Sequence, residues 1–239
     1  MSYVFNGGGG GGDHIQYSHG GGLTGFNGAT QWSASVWVKW DGGAGTHQVF
    51  FKSDAPKYFR AGVSLADGGY VGAVSRDNAT GTGTSGASQV STGAWTHLFI
   101  MYDKGAGTSN WRVWVNASEI TMTNAANDSY DLYNDSTLVV GRYIDDAFQF
   151  LGKIAELAIW VGEAITDSTI ASLYNSGSGA LASDVKPTGL DFYARYLADA
   201  NDSAGSLSGT VTGATLDAAD HPIASGGGST FVPQVIMVL

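Results

Sequence analysis

Cysteine is absent from this chain of 239 residues, and charged residues make up only 13% of it. Without cysteine there is neither a disulfide framework nor a thiolate metal site. The charged fraction is about half the usual share, which disfavours helical bundles and coiled coils. No apolar run approaches the roughly 20 residues of a membrane-spanning helix. The N-terminus has no basic segment followed by an apolar one, so we expect no cleaved signal.

Basic residues are also scarce. Lys and Arg number 11 against 21 Asp and Glu, which gives a net charge of −10 at pH 7. Binding to nucleic acid or to an anionic membrane requires clustered cations, and the few in this chain are scattered. The composition therefore argues against both as main partners.

Glycine and aromatic residues are plentiful, with 36 glycines and 12% aromatics. Short runs of Val, Ile, Phe, Trp and Tyr alternate with clusters of Gly, Asn, Asp and Ser, which is typical of antiparallel sandwiches. This pattern predicts strands at Tyr3–Phe5, His14–Tyr17, Ala34–Trp40, Gln48–Lys52, Phe59–Leu65, Tyr70–Val74, Trp95–Tyr102, Trp111–Val115, Thr137–Val140, Ile154–Trp160 and Phe192–Leu197.

One helix is predicted over Thr166–Tyr174, with Thr166 as the N-cap and Gly177 as the stop. Polar loops are predicted at Gly7–Gly12 and Ser75–Ser88. The glycine run is a loop and not a phosphate cradle, because no helix with Lys and Ser/Thr follows it.

The order of the runs resembles a concanavalin A-like jelly roll of the laminin-G-like, pentraxin-related kind. The motifs that carry the resemblance are Phe5-Asn-Gly with Asp13-His-Ile, Ser35-Val-Trp-Val-Lys39, Val49-Phe-Phe-Lys52, Gly93-Ala-Trp-Thr-His97 with Tyr102-Asp103, Val113-Trp-Val-Asn116, Val140-Gly-Arg142, Phe150-Leu-Gly-Lys-Ile-Ala-Glu-Leu-Ala-Ile-Trp160, and Ala164-Ile-Thr with Leu173-Tyr174. Asn116-Ala117 departs from the Asp-Gly of the family pattern. The resemblance covers about residues 5–216 and implies an all-β fold of two antiparallel sheets.

The resemblance also bears on catalysis, because glycoside hydrolases share this fold. A retaining enzyme needs two carboxylates about 5–5.5 Å apart. The chain has three glutamates, Glu119, Glu156 and Glu163, and no Glu-x-Asp-x-x-Glu strand. The resemblance makes Glu156 a structural acid and His97 a hydrogen-bonded core histidine. We therefore expect no enzyme, with a glycoside hydrolase as the third and weakest alternative.

Two kinds of binding residue are candidates. In this fold, sugars stack on an exposed aromatic ring, and the aromatics whose position the motifs do not determine are Trp40, Trp111, Trp114 and Tyr143. Packing in the core or at a subunit interface is the alternative for each of them. The resemblance further implies a calcium site in the loop before the Phe150 strand, where Asp145 and Asp146 stand, with Asp54 within reach. The alternative is a solvated acidic turn.

The chain divides into a jelly-roll domain, 1–224, and a glycine-rich linker with an apolar arm, 225–239. The arm residues Phe231, Val232, Val235, Ile236, Met237, Val238 and Leu239 either complete the chain's own sheet or dock on a neighbouring subunit. The resemblance points to virion proteins of tailed bacteriophages. It implies a non-enzymatic decoration protein, a homo-oligomer such as a trimer, that attaches to capsid or tail proteins and is released by lysis. Host or environmental glycans are a further expected partner of its lectin-like jelly roll. The alternative is an extracellular calcium-dependent lectin.

Overall fold

The computed structural model describes residues 1–7, 12–18, 23, 29–53, 60–66, 70–76, 82–106, 111–124, 137–143, 148–163 and 165–223. Over these ranges the strands are β1 Ser2–Asn6, β2 His14–Tyr17, β3 Gln31–Trp40, β4 Thr46–Ser53, β5 Arg60–Ala66, β6 Tyr70–Arg76, β7 Thr82–Ser85, β8 Trp95–Asp103, β9 Trp111–Val115, β10 Ser118–Ile120, β11 Met122–Asn124, β12 Thr137–Val140, β13 Leu151–Val161, β14 Leu190–Ala194, β15 Gly209–Thr212 and β16 Thr215–Asp217. The helices are α1 Asp167–Tyr174 and α2 Ala182–Val185.

The strands form two antiparallel sheets. The first sheet has the order β10-β9-β8-β3-β13-β1-β16, and β14 also pairs with β13. The second sheet has the order β11-β7-β6-β5-β4-β12-β2-β15. All predicted strands are present, so the jelly-roll sandwich expected from the sequence is confirmed for the described residues.

The main core lies between the sheets and follows the period-two pattern of β3. Val36, Val38 and Trp40 all belong to it, as do the alternate residues Trp111 and Val113 of β9. Successive strand residues point to opposite faces, so the residues between them face the other side of the sheet.

The other face of the first sheet is covered as well, by α1. The ring of Tyr174 stacks on Trp37 and on His97, with centroid distances of 6.0 Å and 6.1 Å. Ile170 and Leu173 of α1 join a second cluster of buried apolar residues on this face. This explains why both faces of β3 are aromatic.

His97 is the core histidine that the resemblance implies. It is fully buried, and its Nε2 lies 2.8 Å from the hydroxyl oxygen of Ser35. Burial lowers the pKa of His97 to about 3. The imidazole is therefore uncharged in the folded protein over the physiological pH range.

The segment after β16 is fixed to the same face by Asp220. Its carboxylate accepts hydrogen bonds from Lys39, Lys153 and the indole of Trp95, at 2.9, 2.7 and 2.7 Å. Burial acts to raise the pKa of Asp220, but the hydrogen bonds from these three donors lower it well below its usual value. Because Lys39 and Lys153 are cross-strand neighbours of like charge, Asp220 also relieves their repulsion.

The helix ends at Tyr174 as predicted, and Asn175 caps it in the left-handed conformation with φ of 47°, ahead of the predicted stop at Gly177. One local prediction is corrected by the structure. The predicted polar loop Ser75–Ser88 contains β7, which pairs with β6 on one side and β11 on the other. Backbone pairing with its neighbours stabilises this Thr-Gly-Thr-Ser strand, which carries no apolar pattern.

Candidate functional site

A groove opens at one end of the sandwich, where three connections meet. It is formed by residues after β1, by the turn between β3 and β4, and by the segment that leads into β13. Its volume is about 440 Å³, and its lining residues are Gly7, Ala44, Gly45, Thr46, His47, Phe148, Gln149 and Leu151.

Backbone hydrogen bonds hold the wall of the groove in place. The amide of Gln48 donates to the carbonyl of Phe148 at 2.6 Å, and the amide of Asp41 donates to the carbonyl of Leu151 at 3.0 Å. The amide of Phe150 donates to the carbonyl of Gly141 at 2.7 Å. These bonds attach the segment before β13 to its neighbours, so the side chains at the groove are presented from an ordered backbone.

Phe148 is the exposed aromatic residue of this groove. Its side chain is 49% exposed, although it is large and apolar. Its backbone has φ of 55°, a left-handed conformation that costs a non-glycine residue about 1–2 kcal/mol. Tyr143 supports the ring edge-on, with centroids 5.7 Å apart and an interplanar angle of 83°. The fold therefore holds an apolar ring in solvent at the rim of a polar groove.

His47 lies at the inner side of the groove and is 5% exposed. Its Nδ1 is 2.8 Å from the carbonyl oxygen of Gln149, so Nδ1 carries the proton and donates. In the uncharged ring, Nε2 is then an acceptor. It is buried and has no hydrogen-bond partner among the described residues.

Of the four predicted stacking residues, the structure buries three. Trp40, Trp111 and Trp114 are only 3%, 4% and 2% exposed. Trp111 packs against Trp32 at 5.6 Å, and Trp114 packs against Phe99 at 5.6 Å. A buried ring has no free face for a sugar, so the core-packing alternative is correct for these three, and the predicted stacking role is wrong.

Tyr143 is the fourth candidate, and it lies partly exposed beside Phe148. The sequence reading missed Phe148, although it stands in the same loop. The signal was present as a Phe that follows Asp145, Asp146 and Ala147 and precedes Gln149. Its position gave no strand pattern, so only the structure distinguished it from the buried aromatics.

The predicted calcium ligands Asp54, Asp145 and Asp146 lie outside the described residues, as does the arm Phe231–Leu239. Over the ranges that the structure describes, no group of three or more His, Asp and Glu residues has the arrangement of a metal site. Neither of the described helices has the length and apolar character needed to cross a membrane.

A family model described as the concanavalin A-like lectin/glucanases superfamily matches residues 9–171 of the sequence. The chain belongs to this superfamily. No curated protein matches it significantly. The jelly roll of the structure and the family match agree, so the resemblance seen in the sequence motifs is confirmed.

Solved structures share the superfamily fold at low sequence identity. A Bacteroides ovatus protein to which carbohydrate binding has been assigned is 15% identical with a TM-score of 0.66, over 93% of this chain and 61% of its own. A heptameric SAP-like pentraxin from Limulus polyphemus is 15% identical with a TM-score of 0.57, over 72% and 81%. The CBM40 of the Ruminococcus gnavus IT-sialidase, solved with α2,3-sialyllactose, is 12% identical with a TM-score of 0.50, over 66% and 92%. The chain therefore spans less than two thirds of the length of the Bacteroides protein.

Glucanases of the superfamily would require a free pair of carboxylates, and the three glutamates are each bound to a cation. Glu119 accepts from Arg112 at 2.7 Å, and Glu163 accepts from Lys186 at 3.2 Å. Glu156 is buried against Tyr193 and Arg195. Each glutamate is thus held by a neighbouring cation, and the three do not form a free pair of carboxylates.

Proposed function

We propose that this protein is a non-catalytic carbohydrate-binding module and that its sugar site is the groove beside Phe148. The observation that carries the proposal is the exposed ring of Phe148, held over a polar groove by Tyr143. An aromatic face binds the C–H face of a sugar by apolar contact, while nearby polar groups bind its hydroxyls.

The chemistry and size of the groove support this proposal. Thr46, Gln149 and His47 bring a hydroxyl, an amide and an imidazole to its lining. Its volume of about 440 Å³ lies within the usual range of small-ligand sites, about 300–1,000 Å³. The jelly-roll fold shared with the Ruminococcus module and the Bacteroides protein is consistent with such a role.

A binding experiment on three forms of the full chain tests the proposal. A broad glycan array identifies ligands of the wild type, and calorimetry then measures their affinity for the wild type, Phe148→Ala and Leu216→Ala. Leu216 is the matched control, because it is also a large exposed apolar residue, 38% exposed, but lies on β16 and outside the groove lining.

We expect Phe148→Ala to weaken glycan binding about tenfold, since fully burying a Phe side chain contributes about 1.5–3 kcal/mol and about 1.4 kcal/mol corresponds to a tenfold change in affinity. Leu216→Ala should bind like the wild type. An array without hits, or equal losses in the two variants, contradicts the proposed site.

Calcium dependence remains a prediction for this site. In the sequence, Asp145 and Asp146 lie between the two aromatics Tyr143 and Phe148, and carboxylate oxygens are calcium ligands. Repeating the array in calcium and in chelator tests the prediction. Binding that is lost in chelator and in Asp145→Asn supports it, and unchanged binding contradicts it.

Attachment to a virus particle through Phe231–Leu239 also remains a prediction. Burying several of these apolar side chains contributes about 1.5–3 kcal/mol each before ordering costs, enough to hold a partner subunit. Deleting 225–239 should leave a folded domain that no longer forms its homo-oligomer or binds the particle. A truncated chain that retains both contradicts this role and favours an extracellular lectin.

A further inference from the structure

Among the described residues that line the groove, none has a cationic side chain. Among its described residues the polar groups are those of Thr46, His47 and Gln149, and the apolar side chains include Phe148 and Leu151. Proteins usually bind a carboxylate of a sugar through Arg or Lys, because charge-assisted bonds offset its desolvation. The described lining residues therefore offer no such partner to a sialic acid or a uronic acid.

The sequence segments that lead to the groove carry acidic residues. Asp41 begins the turn that forms one wall, and Asp145 and Asp146 precede Phe148 in the sequence. The whole chain carries a net charge of −10. An anionic sugar would approach this surface against electrostatic repulsion, whereas an uncharged sugar would not.

A buried acceptor on a lining residue and a buried donor on the ring beside it lack partners among the described residues. They are Nε2 of His47 and Nε1 of Trp40, on rings whose centroids are 5.8 Å apart. Buried polar atoms without a partner are rare in native structures and call for an explanation. A hydroxyl can donate to the acceptor Nε2, whereas an ionised carboxylate only accepts.

We propose that the ligand of this groove is an uncharged sugar, one hydroxyl of which donates to Nε2 of His47. The inference rests on the proposed function and adds the chemical class of the ligand to it. The hydrogen bond from Nδ1 to the carbonyl of Gln149 fixes the acceptor role of Nε2 before the sugar arrives.

The turn above His47 must move for this contact to form. Gly43 is exposed and covers the ring: a Cβ on Gly43 would lie 2.9 Å from Nε2. Gly42, Gly43 and Gly45 in this turn all have positive φ, at 86°, 127° and 90°. The exposed backbone of Gly43 therefore lies over Nε2, and glycine allows that backbone alternative conformations at low cost.

The first test compares uncharged and anionic glycans on the full-length protein. The array carries matched neutral, sialylated and uronic-acid-containing oligosaccharides, and is run in calcium and in chelator. We expect every Phe148-dependent hit to be uncharged. A Phe148-dependent sialylated or uronic hit under either condition overturns the inference but leaves the proposed carbohydrate site intact. An array without hits contradicts the proposed function itself.

The second test separates the two nitrogens of His47. In His47→Asn, the side-chain amide lies near the position of Nδ1 in the wild-type ring and keeps the hydrogen bond to the carbonyl of Gln149. This variant has no acceptor at the position of Nε2. Gln in His47→Gln places an amide oxygen near Nε2. We expect the Asn variant to bind the neutral glycan at least tenfold more weakly and the Gln variant to retain most of the affinity. Thermal unfolding confirms that both are folded, and equal affinities of wild type and the Asn variant overturn the contact.

Discussion

The hydroxyl of Tyr193 donates a hydrogen bond to the buried carboxylate of Glu156. Glu156 has φ of 52° and lies at a bulge in β13, where the register to β3 shifts between Ala155 and Ala158. The edge of β13 changes partner at the same place: Ile154 pairs with Tyr3 of β1, whereas Leu157 pairs with Ala194 of β14. The bulge lets Glu156 bind the strand that replaces β1.

Electrostatics makes the direction of this hydrogen bond clear. Burial raises the pKa of Tyr193, and the negative charge of Glu156 raises it further. The phenol therefore stays protonated and donates, and Arg195 compensates the carboxylate at 3.3 Å.

We expect Glu156→Ala to destabilise the fold by about 2–4 kcal/mol, because it leaves a buried hydroxyl and a cation without their partner. Glu119→Ala is the matched control: it removes an ion pair whose side chains are 38% and 44% exposed, and should cost at most about 1 kcal/mol. Urea unfolding measures both. Equal small losses would contradict the structural role of Glu156, and loss of a glycan-hydrolysing activity in either variant would favour the hydrolase alternative.

His97 makes stability depend on pH. Its pKa is about 3 in the folded protein, below its ordinary value of about 6.5 in the unfolded chain, so the unfolded state binds a proton as the pH falls below about 6.5. The contribution of uncharged His97 to the free energy of unfolding is fully present above that pH. It decreases on acidification toward pH 3, by about 1.4 kcal/mol per pH unit.

When the pH is lowered from 7 to 5, we expect the free energy of unfolding of the wild type to fall by about 2 kcal/mol more than that of His97→Gln. Both chains share all other titrating groups, so the difference between their urea unfolding free energies at the two pH values isolates His97. Parallel losses would show that His97 does not titrate in this way.

The turn between β9 and β10 carries strain that glycine would remove. Asn116 and Ala117 have φ of 52° and 62°, as a two-residue type I′ turn requires, and glycine is favoured there. We expect Ala117→Gly to stabilise the protein by about 0.5–1 kcal/mol, since the left-handed penalty of alanine exceeds the entropy that glycine loses.

An alanine-to-glycine substitution on α1 should have the opposite effect on stability. Ala171 is exposed and helical, so Ala171→Gly is expected to destabilise the protein by about 1 kcal/mol. Thermal unfolding of the two variants beside the wild type gives the comparison. A loss of stability in both would mean that Ala117 is not strained.

The strands and the fold were predictable because their signal is local. Alternation in β3 placed Val36 and Val38 toward the core, and the motif order predicted the jelly roll. The helix after β13 was predicted with its N-cap, Thr166, which accepts from the amide of Thr169. Such features depend on neighbours in sequence, so the sequence alone carries them.

Long-range packing decided the rest. Trp40 and Trp111 have the same local pattern that an exposed aromatic has, and only the opposing sheet shows that they are buried. Phe148 and His47 are 101 positions apart in the sequence. They line one groove because the segment before β13 and the start of β4 converge there. The sequence by itself determined which segments are strands and that they form a jelly roll. Only the tertiary structure decided which aromatic faces solvent, because burial depends on residues distant in the chain.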